Sequence, residues 1–270
     1  GDRIAYRCGR ILSQAIDPAT GRPRGNPQRI TLEGSNAYFD ISPDGRWIAF
    51  TPMDDNGQRV IQVVPSSGGV AHTIVEESTT RPLWAPDGGS LYYRRTRTDS
   101  PEETLMRIRV EDGQKARGAE PEEIFSTTAL MNPIDSRYVV LETDRRAARP
   151  PLVITDPQGR PLGEVRLEKG MRPAAISPDG RTLVARRGEY ASPLLIAPVA
   201  GGTPKTLQQA GSTPLDWTPD GRYLLTRTRL DGTERLFLAD VEPGTMEEVV
   251  MPDSLLKPPV HLSADGRHLL

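Results

Sequence analysis

The chain has 270 residues, with 34 Lys and Arg against 36 Asp and Glu, and the resulting net charge of −2 gives no whole-molecule basis for binding nucleic acid or an anionic membrane. No apolar run approaches the roughly 18 residues of a membrane span, and the residues given contain no signal peptide. A single cysteine, Cys8, excludes an intrachain disulfide and leaves the redox compartment open.

The chain opens with GDRIAYRC at residues 1–8, the second half of a sentence that recurs later. Residues 17–27, DPATGRPRGNP, read as a long loop because of their Pro and Gly content. The first complete copy is ISPDGRWIAF at residues 41–50. Ser42, Pro43, Asp44 and Gly45 stand in the order a type I turn favours, with Gly45 free to take the left-handed conformation that closes a bulged hairpin. Four strands are predicted around it: a at residues 36–42, b at 46–52, c at 59–64 and d at 70–76. Later c strands are expected at 105–110, 152–155, 194–199 and 235–239, and the charged run 111–123 at the longest excursion between strands.

Close copies of the sentence stand at 176–185 and 217–226, and looser ones at 84–93, 131–140 and 262–270. The motif aspartates, Asp44, Asp87, Asp135, Asp179, Asp220 and Asp265, are 43, 48, 44, 41 and 45 residues apart. A period of about 40 to 45 residues carrying four short strands is the signature of a β-propeller blade, and helical periodicity is missing. The expected fold is therefore all-β, one propeller domain over residues 1–270 built of four-stranded antiparallel blades. Six blades are preferred because closure removes sheet edges, with residues 258–263 beside residues 3–7 in one sheet. The alternative is a fragment of a seven-bladed propeller, since the chain begins and ends inside a blade and reads as part of a longer one.

The repeated SPDGR followed by an apolar strand, with SSGG at 66–69 or AGG at 200–202 between strands c and d, resembles the TolB-type, WD-like propeller family. The resemblance covers the whole chain, although Ile134 is inserted and Ser136 replaces Gly in the third copy, and Ala264 replaces Pro in the last. It implies bacterial proteins of several roles: periplasmic parts of envelope machineries, sensor or docking domains fused to other domains, non-catalytic domains of peptidases, and a minority of lyases. The function expected from it is a non-enzymatic module for protein or small-ligand recognition at the channel mouth, with an extracytoplasmic location. The alternative is a lyase or hydrolase acting on a saccharide or peptide at the channel.

No nucleophile elbow, Walker loop, dinucleotide fingerprint or zincin motif is present, so no catalytic residue is assigned. No cofactor is expected either. Three histidines, His72, His261 and His268, are too few for a His-dominated metal site, and one aspartate per separated turn cannot assemble a calcium site. Trp47, Trp84 and Trp217 read as packing residues.

Two sets of side chains remain as candidates. Position by position, the residue two before each turn reads Asp40, Leu83, Leu130, Ala175, Asp216 and His261, and strand alternation aims it at the channel. Asp40, Asp216 and His261 would then offer two carboxylates and an imidazole to a polar ligand or a divalent cation, although a hydrated channel is the preferred reading. The loops joining strands b and c also bring arginines to one rim: Arg94, Arg95 and Arg97; Arg145, Arg146 and Arg149; Arg186 and Arg187; Arg227 and Arg229. The guanidinium fork suits carboxylate and phosphate, so an anionic ligand or acidic partner is the candidate there, although a solvated surface partly neutralised by Asp99, Glu102, Glu103, Asp144, Glu189 and Asp231 is the preferred reading.

Overall fold

The computed structural model describes residues 3–7, 11–16, 23–30, 38–52, 57–77, 81–96, 100–127, 129–133, 137–143, 151–168, 170–187, 193–207, 212–230 and 233–249. Among them every regular element is a strand, and no helix is long and apolar enough to cross a membrane. The first sheet has three strands in the order β1–β2–β3: β1 (Arg3–Arg7), β2 (Ile11–Ile16) and β3 (Pro23–Arg29). Next come β4 (Phe39–Ile41), β5 (Trp47–Phe50), β6 (Ile61–Pro65) and β7 (His72–Val75), a four-stranded antiparallel meander. The third sheet runs β8 (Leu83–Trp84), β9 (Ser90–Thr96), β10 (Glu103–Glu111) and β12 (Glu122–Thr127), with β11 (Gln114–Lys115) as an extra strand on β10.

Three further meanders follow in sequence order. They are β13 (Leu130–Pro133), β14 (Val139–Glu142), β15 (Pro151–Thr155) and β16 (Pro161–Arg166); β17 (Met171–Ile176), β18 (Thr182–Arg187), β19 (Leu195–Pro198) and β20 (Lys205–Thr206); and β21 (Ser212–Trp217), β22 (Tyr223–Leu230), β23 (Thr233–Asp240) and β24 (Thr245–Val249). By packing the chain forms two compact units, Gly1–Arg137 with Pro157–Gly159, and Tyr138–Asp156 with Arg160–Leu270.

The fold class is an all-β propeller of antiparallel blades, but the blade count read from the repeat is corrected. Five blades have four strands and the N-terminal sheet has three, so neither six nor seven four-stranded blades are present among the described residues. The repeat was counted on six turns, and the sixth, with the closing strand at 258–263, lies outside the described residues. The predicted loop at 17–27 is corrected too, because its second half enters β3. Proline is tolerated there since, among the described residues, β3 has a partner on one side only, and its pairing with β2 is irregular. The charged run 111–123 is not a free excursion: Asp112 and Gly113 take positive φ and turn β10 back onto β11.

Three of the described turns are held by one repeated set of hydrogen bonds. Ser42 Oγ donates to Asp44 Oδ1 at 2.6 Å, the same oxygen accepts the Arg46 amide at 3.0 Å, and Ser42 Oγ in turn accepts the Trp47 amide at 2.9 Å. Gly45, at φ 73°, donates its amide to Ser42 O at 2.8 Å. The set returns at Ser177, Asp179, Arg181 and Thr182, and at Thr218, Asp220, Arg222 and Tyr223. At Asp87 the hydroxyl is missing because Ala85 stands first, and the carboxylate keeps only the Gly89 amide.

Between blades the contacts are apolar. Ala49, Ile61, Val63, Ile74 and Val75 of the second sheet pack on Trp84, Leu91, Tyr93, Met106 and Ile108 of the third. In the second unit Val184, Leu194, Ile196 and Leu207 pack on Trp217, Leu224 and Ala239. Trp84 and Trp217 are buried at the same place in the repeat, as packing residues. Trp47 is half-buried, and its ring lies under Gly113 so closely that any Cβ there would overlap it.

Gly113→Ala should therefore destabilise the protein by about 1–3 kcal/mol in urea unfolding, through overpacking and a strained positive φ. The penalty should shrink in a Trp47→Ala background, where the overlap is gone; equal costs in both backgrounds would refute the contact.

The turns also fix a pH dependence. The Ser42 hydrogen bond, helped by the Arg46 amide, holds Asp44 below the usual aspartate value against some burial. At Asp179 burial pushes the value up, but the Ser177 hydroxyl and Arg181 amide together bring it down, and Thr218 with the Arg222 amide lowers Asp220. A depressed folded value favours the ionised form, so this stability is present above the unfolded value, roughly 3.9, and is lost as pH falls through the folded values. Replacing all three by Asn should lower the Tm at pH 7 and flatten its fall between pH 5 and pH 2. Parallel Tm curves for the two proteins would place the acid sensitivity elsewhere.

Candidate functional site

The end of a blade opposite the SPDG turn is where its innermost strand begins and its second strand ends. In the third sheet that end carries Arg94 and Arg95, which lie on β9 itself and not in a connection. Arg94 Nη1 is 3.2 Å from Glu103 Oε2 on the facing strand β10. Arg95 is 3.7 Å from Glu77 and 3.5 Å from Glu123. Glu77 also accepts a 2.7 Å hydrogen bond from the buried Tyr93 hydroxyl, and Ser126 Oγ links Glu123 to Thr104. Burial, then the Glu77 hydrogen bond and charge, push the Tyr93 hydroxyl well above the usual tyrosine range. Arg94 and Arg95 are thus answered by three glutamates, two of which, Glu77 after β7 and Glu123 on β12, the sequence left unconsidered because they lie far off in the chain.

In the second unit Arg186 and Arg187 end β18, and Arg227 and Arg229 lie along β22. Arg187 donates to Glu168 Oε2 at 2.8 Å. Arg97, Arg145, Arg146 and Arg149 lie outside the described residues.

Of the channel candidates, Asp40 stands on β4 in the first unit, half-buried, and its Oδ2 accepts the Trp84 amide of β8 at 2.8 Å. Asp216 stands on β21 in the second unit, also half-buried, and its Oδ1 accepts the Trp217 amide at 2.9 Å. His261 lies outside the described residues, as does Cys8. Among the described residues no group of three His, Cys, Asp or Glu side chains is placed to hold a metal ion.

Two side chains at the same end of the blades escaped the sequence reading. Tyr38, just before β4, is 49% exposed, and its carbonyl accepts the Thr51 amide where β5 ends. Arg172, the second residue of β17, is exposed and faces Arg186 across the strand pair. Neither lies in the ten-residue motif, so only the strand register could have found them.

No family profile and no curated protein sequence matches the chain. Solved structures do. They include TolB from Acinetobacter baumannii, with a TM-score of 0.58 and 18% identity over 91% of this chain and 63% of that one. They also include an oligogalacturonate lyase in complex with manganese (TM-score 0.60, 15% identity, 98% of this chain and 77% of that one). A third is the β-propeller domain of the Trilobed protease from Pyrococcus furiosus (TM-score 0.55, 13% identity, 84% and 76%). At these identities the likeness defines the class of fold, a TolB-like β-propeller, and the chain spans 63% of the length of that TolB.

Glu77→Gln should release Arg95 from one of its two carboxylates and remove the charge beside Tyr93. We expect a loss of about 1–2 kcal/mol in urea unfolding and a lower Tyr93 ionisation midpoint by absorbance titration. An unchanged midpoint would mean that burial alone sets it.

Proposed function

We propose that this propeller is a non-enzymatic binding or sensing module that recognises a protein partner or a small ligand at the rim opposite its SPDG turns. The observation that supports this reading is Tyr38, a large aromatic left 49% exposed at the entrance of an innermost strand. Tyrosine is enriched in interfaces because it supplies broad apolar contact and a hydroxyl at little cost in rotamer freedom. The carboxylates that an enzyme would draw on point the same way: Asp44, Asp179 and Asp220 hold turns, and Asp40 and Asp216 accept backbone amides. The protein partner is the main expectation, and an anionic ligand the second.

The competing reading is an enzyme, since the structural neighbours include a lyase. Purified protein should give no turnover of oligogalacturonate with manganese added, nor of model peptides. Turnover that Asp40→Asn or Asp216→Asn abolishes would overturn the proposal. A photo-crosslinking residue at position 38 should capture a defined protein in the source cells, and the purified pair should bind at least about tenfold more weakly with Tyr38→Ala at unchanged Tm.

A further inference from the structure

The register of the second unit places Arg172 of β17 directly opposite Arg186 of β18. Facing residues on antiparallel strands share one side of the sheet with Cβ atoms about 4.5–5.5 Å apart, where like charges repel. The first unit shows the ordinary arrangement: Arg107 faces Glu122 and forms a 2.9 Å ion pair with it. At Arg172 the facing residue is a second cation, and the next residue along β18 is a third, Arg187. Glu168, the carboxylate that leads into β17, is engaged by Arg187. Arg227 occupies on β22 the place that Arg186 has on β18, facing Thr213, and β17 packs against β21. Among the described residues Arg172, Arg186 and Arg227 therefore gather at this end of the second unit, where Arg172 and Arg187 are exposed.

We infer that Arg172 and Arg186 form a binding site for a small oxyanion, a carboxylate or phosphate group, held between two guanidinium groups. Each guanidinium presents parallel N–H donors that match the oxygen spacing of either anion, and a bound negative charge turns the facing repulsion into two attractions. Arg186 and Arg187 keep their existing contacts within the protein, and the anion adds to that network. The site deepens the binding-module reading and rests on it for the choice of rim.

The test titrates the full chain calorimetrically with citrate and, separately, with inorganic phosphate at pH 7 and constant ionic strength. Wild type should bind at least one of them, and the tighter probe tells a carboxylate ligand from a phosphate one. Arg172→Gln should raise the dissociation constant at least about tenfold while raising the ligand-free Tm at low salt, because the facing repulsion is gone. Arg181→Gln, at the SPDG end of the same blade, should leave binding unchanged. The site is refuted if neither anion binds wild type, if Arg172→Gln binds as tightly, if it lowers the ligand-free Tm, or if Arg181→Gln weakens binding as much. Such a failure, with Tyr38-dependent partner binding intact, would remove the anion site and leave the binding-module reading standing.

Discussion

The hydroxyl of Ser42, Ser177 or Thr218 is the interaction on which the blades depend. It donates to the motif aspartate and accepts the amide five residues on, so one side chain closes the turn and starts the returning strand. The aspartate accepts a second amide two residues after itself, which fixes the glycine between them. A hairpin needs its register set by the turn, since a slip of one residue would put every core side chain on the wrong face. Ile48, Phe50, Leu183 and Leu224 are buried because that register holds.

The same turns pack one blade on the next. A Cβ placed on Gly88 would lie 3.7 Å from Pro43 Cδ, and one on Gly221 would lie 3.6 Å from Pro178 Cδ, so each glycine sits over the proline of the preceding turn. Proline therefore does two things: it presets φ in its own turn and gives the following turn a flat apolar surface. Tyr138 takes that place before Gly180, with its hydroxyl donating to Pro178 O at 3.0 Å. Deeper in, the residue before each turn carries the contact between blades, which is why Trp84 and Trp217 stand there.

The local sentence was readable because turn chemistry is local. Strands β5, β6, β15 and β23 fall within a few residues of their expected bounds, and the predicted Gly45 conformation is present. What depends on pairing between distant residues was not readable. The pairing of Arg95 was not visible because Glu77 follows β7 and Glu123 stands on β12, both distant from Arg95 in the chain. Arg172 went unnoticed because its partner depends on a register that shifts between Pro173 and Ala175. The blade count failed for a related reason: turn motifs count hairpins, whereas a blade needs four paired strands, and among the described residues β1–β2–β3 has three.

Asp40 shows how a position can look functional from sequence and carry structure. Strand β8 is two residues long and pairs with β9 on one side, so the Trp84 amide on its other side has no ladder partner. A buried amide without an acceptor costs about as much as a lost hydrogen bond, and a carboxylate is a strong acceptor to set against it. Asp40, on the adjacent innermost strand β4, supplies it. A ligand cation or hydroxyl drawing on Asp40 Oδ2 would have to compete with that amide, and the contest is unfavourable because the amide is held in place by the strand. At Arg172, near the start of β17, an added anion would relieve the repulsion from the facing Arg186 without displacing a backbone hydrogen bond. The proposed recognition accordingly falls at the rim and not on the innermost strands.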